Sequence, residues 1–319
     1  MDIMRQSIID FPNQFLWNPK IENRNRLKLK RNIIIAGMGG SALPGELLKL
    51  LLPSRTIMIH RNYELPREAN AKNTLVIAVS YSGNTEETID AFQTARKQKN
   101  QVAVVTTGGK LLRLAKSSRI PYIQLTDSRV QPRMALGFML KALTVMLREK
   151  KLTRDLTKIE LESKKLEGRG RKLARMLIRH VPIVYTSGKN AVLALMWKIK
   201  FNETGKIPAF WNVLPELNHN EMTGYDSNQK TRDLSQNFSF LFLADKRDDP
   251  RIQKRMRVLE RILKSKRLSM SIIPFDGGSF ESLFATILLG DWTAYSIAKQ
   301  SNANPNAVPL VERFKKLMA

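Results

Sequence analysis

The sequence predicts an α/β protein of two units, each a parallel sheet covered by helices on both faces. Two observations carry this. Short apolar, β-branched runs recur between amphipathic helical stretches over residues 32–150 and again over 182–300, an alternation that parallel strands joined by crossover helices require. Between these halves, residues 151–180 are charged and helix-prone with little β character. The junction is placed there, giving a first domain over 1–150 and a second over 151–319, a division that 319 residues suit.

Taken in order, residues 1–31 read as a basic helical lead-in. Strand patterns follow at 32–36 (NIIIA), 56–60 (TIMIH), 75–79 (LVIAV), 101–106 (QVAVVT) and 121–125 (PYIQL), with helices after the first, third and fourth. Residues 131–150 read as one long helix, with Pro132 suited to its first turn. In the second half, strands are expected at 182–186 (PIVYT), 238–243 (FSFLFL) and 269–273 (SMSII). Helices are expected at 191–202, 249–263, 279–300 and 308–318. The halves look like two copies of one sheet architecture, although their sequences barely match.

The stretch 74–94, TLVIAVSYSGNTEETIDAFQT, organises the first half. A buried strand breaks at Ser80, Ser82, Gly83, Asn84 and Thr85, and a helix with Ile89 and Phe92 on one face starts at once. Ser82 or Asn84 can cap that helix, and Glu86 and Glu87 suit its first turn. Hydroxyls at Ser80, Ser82, Thr85 and Thr88 therefore cluster at a helix N-terminus, where free N–H groups and the positive dipole end favour an anion. Uncharged donors suit a compact phosphomonoester; the GxxxxGK[ST] of a P-loop is not present.

Composition narrows the function classes. The chain lacks cysteine, which removes disulfides, thiolate nucleophiles and zinc fingers and fits a cytoplasmic location. Three histidines (His60, His180, His219) are scattered without metal-ligand spacing, so no metal is expected. No apolar run of about eighteen residues predicts a membrane span, and the N-terminus has no apolar signal-peptide core. The net charge of +26 attracts anionic partners. The basic residues are spread through helix-like segments without a nucleic-acid-binding motif, so a nucleic-acid partner is not expected despite that charge.

A second loop echoes the first. GMGGSALPG joins the first strand to its helix, with Gly37, Gly39 and Gly40 allowing close backbone approach and Ser41 at the helix start. Position 42 is alanine, and the second predicted strand ends in His60-Arg61-Asn62 without an acidic residue, so a dinucleotide cofactor is the minority reading and none is expected. GMGGS, SYSGNTEET and the two-unit organisation resemble the sugar isomerase (SIS) family. QPRMALG at 131–137, FNETGK at 201–206, PELNHNE at 215–221 and the C-terminal NPNAVPLVERFKKLM look like the archaeal-type bifunctional phosphoglucose/phosphomannose isomerase family. The resemblance runs from about residue 30 to the end. SGNTEET alone marks only the superfamily; PELNHNE with FNETGK is much more specific.

The resemblance implies two SIS-type three-layer αβα units. It also implies aldose–ketose isomerisation of glucose 6-phosphate and mannose 6-phosphate with fructose 6-phosphate, without metal or organic cofactor. It carries the phosphate role to Ser41, Ser80, Ser82 and Thr85, with Thr88 one turn further on, and substrate contact to Gly39 and Gly40. Glu203 matches the proton-transfer base, and stands just beyond the apolar helix containing Val192, Leu195, Met196 and Ile199. His219 matches the ring-opening histidine, flanked by Asn218 and Asn220, which can fix a ring tautomer. Lys315 matches the second ring-opening group, at the edge of an apolar stripe of Val311, Phe314 and Met318 that would turn it inward. Arg133 matches a fixed positive charge for the enediolate. In related larger isomerases the comparable histidine comes from a partner subunit, so a homodimer with active sites shared between subunits is expected. Val308 stands where mannose-accepting members can carry threonine, which bears on mannose activity. The rival readings are a non-catalytic SIS-type sugar-phosphate sensor and a nucleic-acid-associated role. Glu203, His219 and Lys315 together argue against a sensor, which needs none of them. The related glucosamine 6-phosphate-forming aminotransferase needs an amino-terminal cysteine that this chain lacks.

Overall fold

The computed structural model describes residues 2–69, 72–126, 130–226 and 231–318. The chain forms two compact units, Asp10–Ile159 and Met1–Ile9 with Glu160–Ala319. The first helix, α1 (Ile3–Ile9), belongs to the second of these, where the sequence suggested a first domain beginning at residue 1. Side-chain contacts explain why. The Arg5 guanidinium donates to both carboxylate oxygens of Glu167, at 3.1 and 2.7 Å, Ser163 Oγ donates to the Ile8 carbonyl, and Tyr295 donates to Asp2. Beyond α1 the basic lead-in is not continuous helix: short 3₁₀ turns at Phe11–Leu16 and Arg24–Arg26 interrupt irregular chain.

The N-terminal unit contains β1 (Asn32–Ala36), α2 (Leu43–Leu51), β2 (Thr56–His60), β3 (Thr74–Val79), α3 (Glu86–Lys97), β4 (Gln101–Thr106), α4 (Gly109–Ser117), β5 (Tyr122–Gln124), α5 (Leu136–Met146) and α6 (Lys150–Thr157). Its sheet runs β2-β1-β3-β4-β5, all parallel, with Ile35 beside Ile59 on one side and Ile77 on the other. Every residue of β3 is buried, which is why TLVIAV is continuously apolar after its first residue. Phe92 and Ala95 of α3, with Leu111 and Ala115 of α4, pack on Ile34, Val76, Ala78, Val102 and Val104; each fully buried branched side chain contributes about 1.5–3 kcal/mol. Helix α2 packs against α5, and α5 also meets β4.

The predicted single helix over 131–150 is broken. A 3₁₀ turn, Pro132–Met134, precedes α5, and the chain reverses at Arg148, whose φ of 57° is left-handed, before α6 starts. Helix α6 folds back on α5, where Lys141 donates to Thr157 Oγ1 and Leu152 and Leu156 are buried. This packing carries the N-terminal unit to residue 159 rather than 150.

The C-terminal unit continues with α7 (Glu167–Leu177), β6 (Val181–Ser187), α8 (Ala191–Lys200), β7 (Phe210–Leu214), α9 (Arg232–Gln236), β8 (Phe238–Asp245), α10 (Pro250–Ser265), β9 (Ser269–Phe275), α11 (Phe280–Gln300) and α12 (Pro309–Met318). Its sheet is again all parallel, ordered β7-β6-β8-β9. Tyr185, Phe240 and Phe242 pack with Met256, Leu259 and Leu263 of α10. Helix α11 packs against α7 and α8, and Trp292 Nε1 donates to the Ser163 carbonyl at 2.8 Å. Strand β7 was not predicted. It is an edge strand, mostly half-buried, so its sequence lacks the apolar run that marks the inner strands. Both sheets place their first strand between the second and third, so the two-copy architecture read from the sequence is present. Among the described residues no helix is long and apolar enough to cross a membrane.

Candidate active site

In the N-terminal unit, β1 and β3 lie side by side and their following chains diverge, β1 toward β2 and β3 toward β4. This is the switch point of an open parallel sheet, where loops at the carboxyl ends of the strands open a crevice. Both predicted loops meet there. Ser41 Oγ, from the 3₁₀ turn Gly39–Ser41, accepts from the Tyr81 N–H at 3.0 Å and so joins them. Gly40 lies so close to the Pro132–Met134 turn that a Cβ on it would stand 3.1 Å from the Arg133 Cα. Arg133 is buried and sits directly against the glycine turn. Gly83 has φ +69°, and a Cβ there would fall 1.8 Å from the Gly108 carbonyl, so only glycine fits the bend.

The hydroxyls divide into two kinds. Ser80 is fully buried; its Oγ accepts from the Gly83 N–H at 3.1 Å and shares a 2.9 Å hydrogen bond with Thr85 Oγ1, so it braces the loop from within. Ser82 is exposed and accepts from the Asn84 N–H at 3.3 Å. The residue at the N-cap of α3 is Thr85, where the sequence suggested Ser82 or Asn84, and its side chain makes no capping bond. Asn84 instead accepts from the Lys110 N–H at 2.9 Å. The first turn of α3 is thus left without a side-chain cap beside half-buried Thr85 and exposed Ser82, an arrangement suited to an anion. Thr88 lies in the core with its Oγ1 unpaired, one turn beyond the crevice.

In the C-terminal unit, Glu203 lies in a π-helical turn, Phe201–Gly205, that extends α8. Such turns recur at functional sites. Glu203 is half-buried. Lys206, held at φ 60°, donates from Nζ to the carbonyls of Glu203 and Ala307. One side chain therefore clamps the Glu203 turn to the segment that carries Val308 and leads into α12. Sequence reasoning did not single out Lys206, although it closes the FNETGK motif.

His219 follows the 3₁₀ turn Glu216–Asn218 and is exposed. Its flanking asparagines do not hold its ring. Asn218 contacts Met222 Sδ and Arg255, while Asn220 donates to Glu216 at 2.7 Å and accepts from the Glu221 N–H. The loop is instead anchored by Glu221, whose carboxylate accepts from Tyr185, Asn212 and Tyr225. Burial raises both tyrosines, Tyr225 to about 12. Further along that stretch, residues 227–230 lie outside those described. Lys315 is on α12, which has no buried residue; Val311, Phe314 and Met318 are exposed, so the expected inward-facing stripe is uncovered in the chain by itself.

The C-terminal sheet has its own switch point, between β6 and β8, and different chemistry fills it. Asp245, 2% exposed, accepts from the Arg247 and Gly277 N–H groups, both at 2.9 Å, and from Lys189 and Asn190, both at 3.1 Å. Against the penalty of burial, these donors hold its carboxyl below the usual range. Asp248 accepts from Ser187 at 2.8 Å and from Asn190 at 3.2 Å, while its second oxygen is buried and unpaired. Burial, reinforced by the charge of Asp245, pushes Asp248 up. No motif in the sequence pointed to this cluster, whose members are scattered over some 90 residues from Ser187 to Gly277.

Residues 26–141 match the family described as SIS domain, and residues 166–318 match the bacterial phospho-glucose isomerase C-terminal SIS domain. The fold and these two matches thus define a two-unit protein of the SIS class. A bifunctional phosphoglucose/phosphomannose isomerase from Aquifex aeolicus is 30% identical, the match covering 99% of this chain and 98% of that protein. The chain belongs to the bifunctional phosphoglucose/phosphomannose isomerase family, as FNETGK and PELNHNE suggested. It is also 34% identical over 209 residues to a D-glucosamine-6-phosphate 4-epimerase from Sulfolobus acidocaldarius, covering 64% of this chain and 67% of that one. Among solved structures, the C-terminal domain of glucosamine-fructose-6-phosphate aminotransferase from Francisella tularensis superposes with a TM-score of 0.71. That match covers 96% of this chain and 98% of the other at 13% identity, a likeness of fold.

Proposed function

We propose that this chain interconverts glucose 6-phosphate and mannose 6-phosphate with fructose 6-phosphate, by ring opening and proton transfer between C1 and C2. The observation that carries the reading is family membership over almost the whole chain, with an uncapped helix start among hydroxyls where the phosphate would sit. In this reading Ser41, Ser82 and Thr85 take the phosphate, Ser80 keeps their loop in shape, and Gly39 and Gly40 bring backbone close to the sugar. Arg133 supplies a fixed positive charge to the enediolate. Glu203 moves the proton, and His219 and Lys315 open the ring. These groups supply every acid, base and charge the reaction calls for. Val308 preserves the shape of a threonine without its hydroxyl, and Thr at that position would raise mannose turnover if the hydroxyl assists it.

The working form is proposed to be a homodimer in the cytoplasm. The uncovered apolar face of α12 and the exposed His219, whose ring has no hydrogen-bond partner among the described residues, support the dimer; the absence of cysteine supports the compartment. The match to the 4-epimerase favours a second reading, epimerisation of an amino-sugar phosphate. A coupled assay offering glucose 6-phosphate, mannose 6-phosphate and glucosamine 6-phosphate side by side separates the two. Glu203→Gln should lower isomerase turnover by about 10²–10⁴-fold while fructose 6-phosphate still binds; near-normal turnover would remove Glu203 from its role.

A further inference from the structure

A pocket of about 500 Å³ in the N-terminal unit belongs to neither predicted loop. It opens between the irregular lead-in, the end of α5 and the start of α6. Five cationic side chains line it, Lys20, Arg24, Arg148, Lys150 and Arg154, and no carboxylate does. Between them, Ile21 and Val145 provide apolar surface. Lys20, Arg24 and Lys150 make no ion pair among the described residues. Among the described residues the Arg148 guanidinium donates only to the Leu27 carbonyl, at 3.3 Å, and the Arg154 Nε stands 4.0 Å from Asp155, the limit of an ion pair.

Like charges gathered in one pocket, with Asp155 as a counter-charge only at the ion-pair limit of Arg154, repel one another and oppose folding. Here the surroundings intensify the effect. The N-cap of α6 is Glu149, but its carboxylate is taken by Arg55 and the first turn itself has no acidic residue, so the helix dipole adds to the positive potential. Lys141, 3% exposed, lies behind the pocket and hydrogen-bonds Thr157 and the carbonyl of Thr153, itself a lining residue. Solvent and salt screen these exposed side chains, and an anion of several charges would relieve the repulsion further than one phosphate, which would engage only one or two of the five cations. The volume is that of a small-molecule site, roughly 300–1,000 Å³, and its apolar surface calls for a ring as well as phosphates.

We propose that this pocket binds a nucleoside polyphosphate, with the phosphates on the arginines and lysines and the base against Ile21 and Val145. The test is calorimetric titration of the full chain with ATP, tripolyphosphate, adenosine and a single-stranded RNA oligonucleotide at physiological ionic strength. Saturable binding of one ATP per chain is expected, tighter than tripolyphosphate or adenosine and undisturbed by saturating fructose 6-phosphate. Each removed charge-assisted contact should weaken binding about tenfold, so R24A/R154A should lose about a hundredfold for ATP with fructose 6-phosphate affinity unchanged. Both positions are exposed, and circular dichroism checks that the variant is folded. Absence of saturable ATP binding, ATP affinity unchanged in the variant, tripolyphosphate binding as tightly as ATP, or RNA outcompeting ATP would each overturn the proposal.

Discussion

The two sheets offer the same crevice with opposite chemistry. Each has its first strand one place in from an edge, with the next two strands paired on either side of it. In the N-terminal unit the loops after β1 and β3 present hydroxyls and an uncapped helix start. In the C-terminal unit the corresponding loops carry Asp245 and Asp248, and the donors that could greet a ligand are taken by these carboxylates. The fold therefore supplies the place, and side chains decide whether an anion enters. A carboxylate of the chain itself occupies one crevice, and in the proposed function the phosphate of the substrate occupies the other.

Breaking the plug should have the largest effect. Asp245→Ala leaves the Arg247 and Gly277 N–H groups and Lys189 without this acceptor, while Asn190 keeps Ser187 and Asp248, and should cost about 3 kcal/mol, read as a shift in urea-unfolding stability. A loss well under 1 kcal/mol would mean the carboxylate does not hold that end of the sheet together.

Transplanting the plug's chemistry sharpens the comparison. Thr85→Asp places a carboxylate at the N-cap of α3. Its cap bond and charge should leave thermal stability unchanged or slightly raised. The same charge should repel the sugar phosphate and weaken its binding about a hundredfold, measured by titration with fructose 6-phosphate. Unchanged affinity would place the phosphate elsewhere.

The smallest effect is expected at Asp248. Its folded carboxyl is raised above the ordinary 3.8 by burial, so the native state holds the proton longer than the unfolded state. Its contribution to stability is full below that ordinary value and is lost as pH rises through the folded one. Asp248→Asn keeps the shape without the titration. It should change stability by about 1 kcal/mol or less and remove this part of the pH dependence, followed as urea midpoints across the acidic range. An unaltered pH profile would show that Asp248 does not titrate there.

Much of this was readable from local sequence. The inner strands announced themselves as apolar β-branched runs, because burial on both faces demands them, and the two ligand-type loops as glycine and hydroxyl clusters at strand ends. The edge strand β7 was silent because half-burial leaves no such demand. The break before α6 was silent too: Arg148 takes a left-handed conformation without a glycine or proline to mark it, and packing of α6 on α5 decides the turn. Asn84 does not cap α3 because its side chain found a partner 26 residues away, and Thr85 takes the N-cap position without a capping bond.

The candidate site divides along the same line. The residue types of SYSGNTEET, FNETGK and PELNHNE, and with them the class of chemistry, lie within short stretches of chain. That Ser41 joins the two loops through the Tyr81 N–H, that Lys206 ties Glu203 to the approach to α12, and that Glu221 rather than the asparagines anchors the His219 loop depend on partners far apart in sequence. Propensity, capping and turn chemistry act over a few residues and can be read by eye. Which donor meets which acceptor is settled only when distant segments compete for the same space, and that competition exists only in the folded chain.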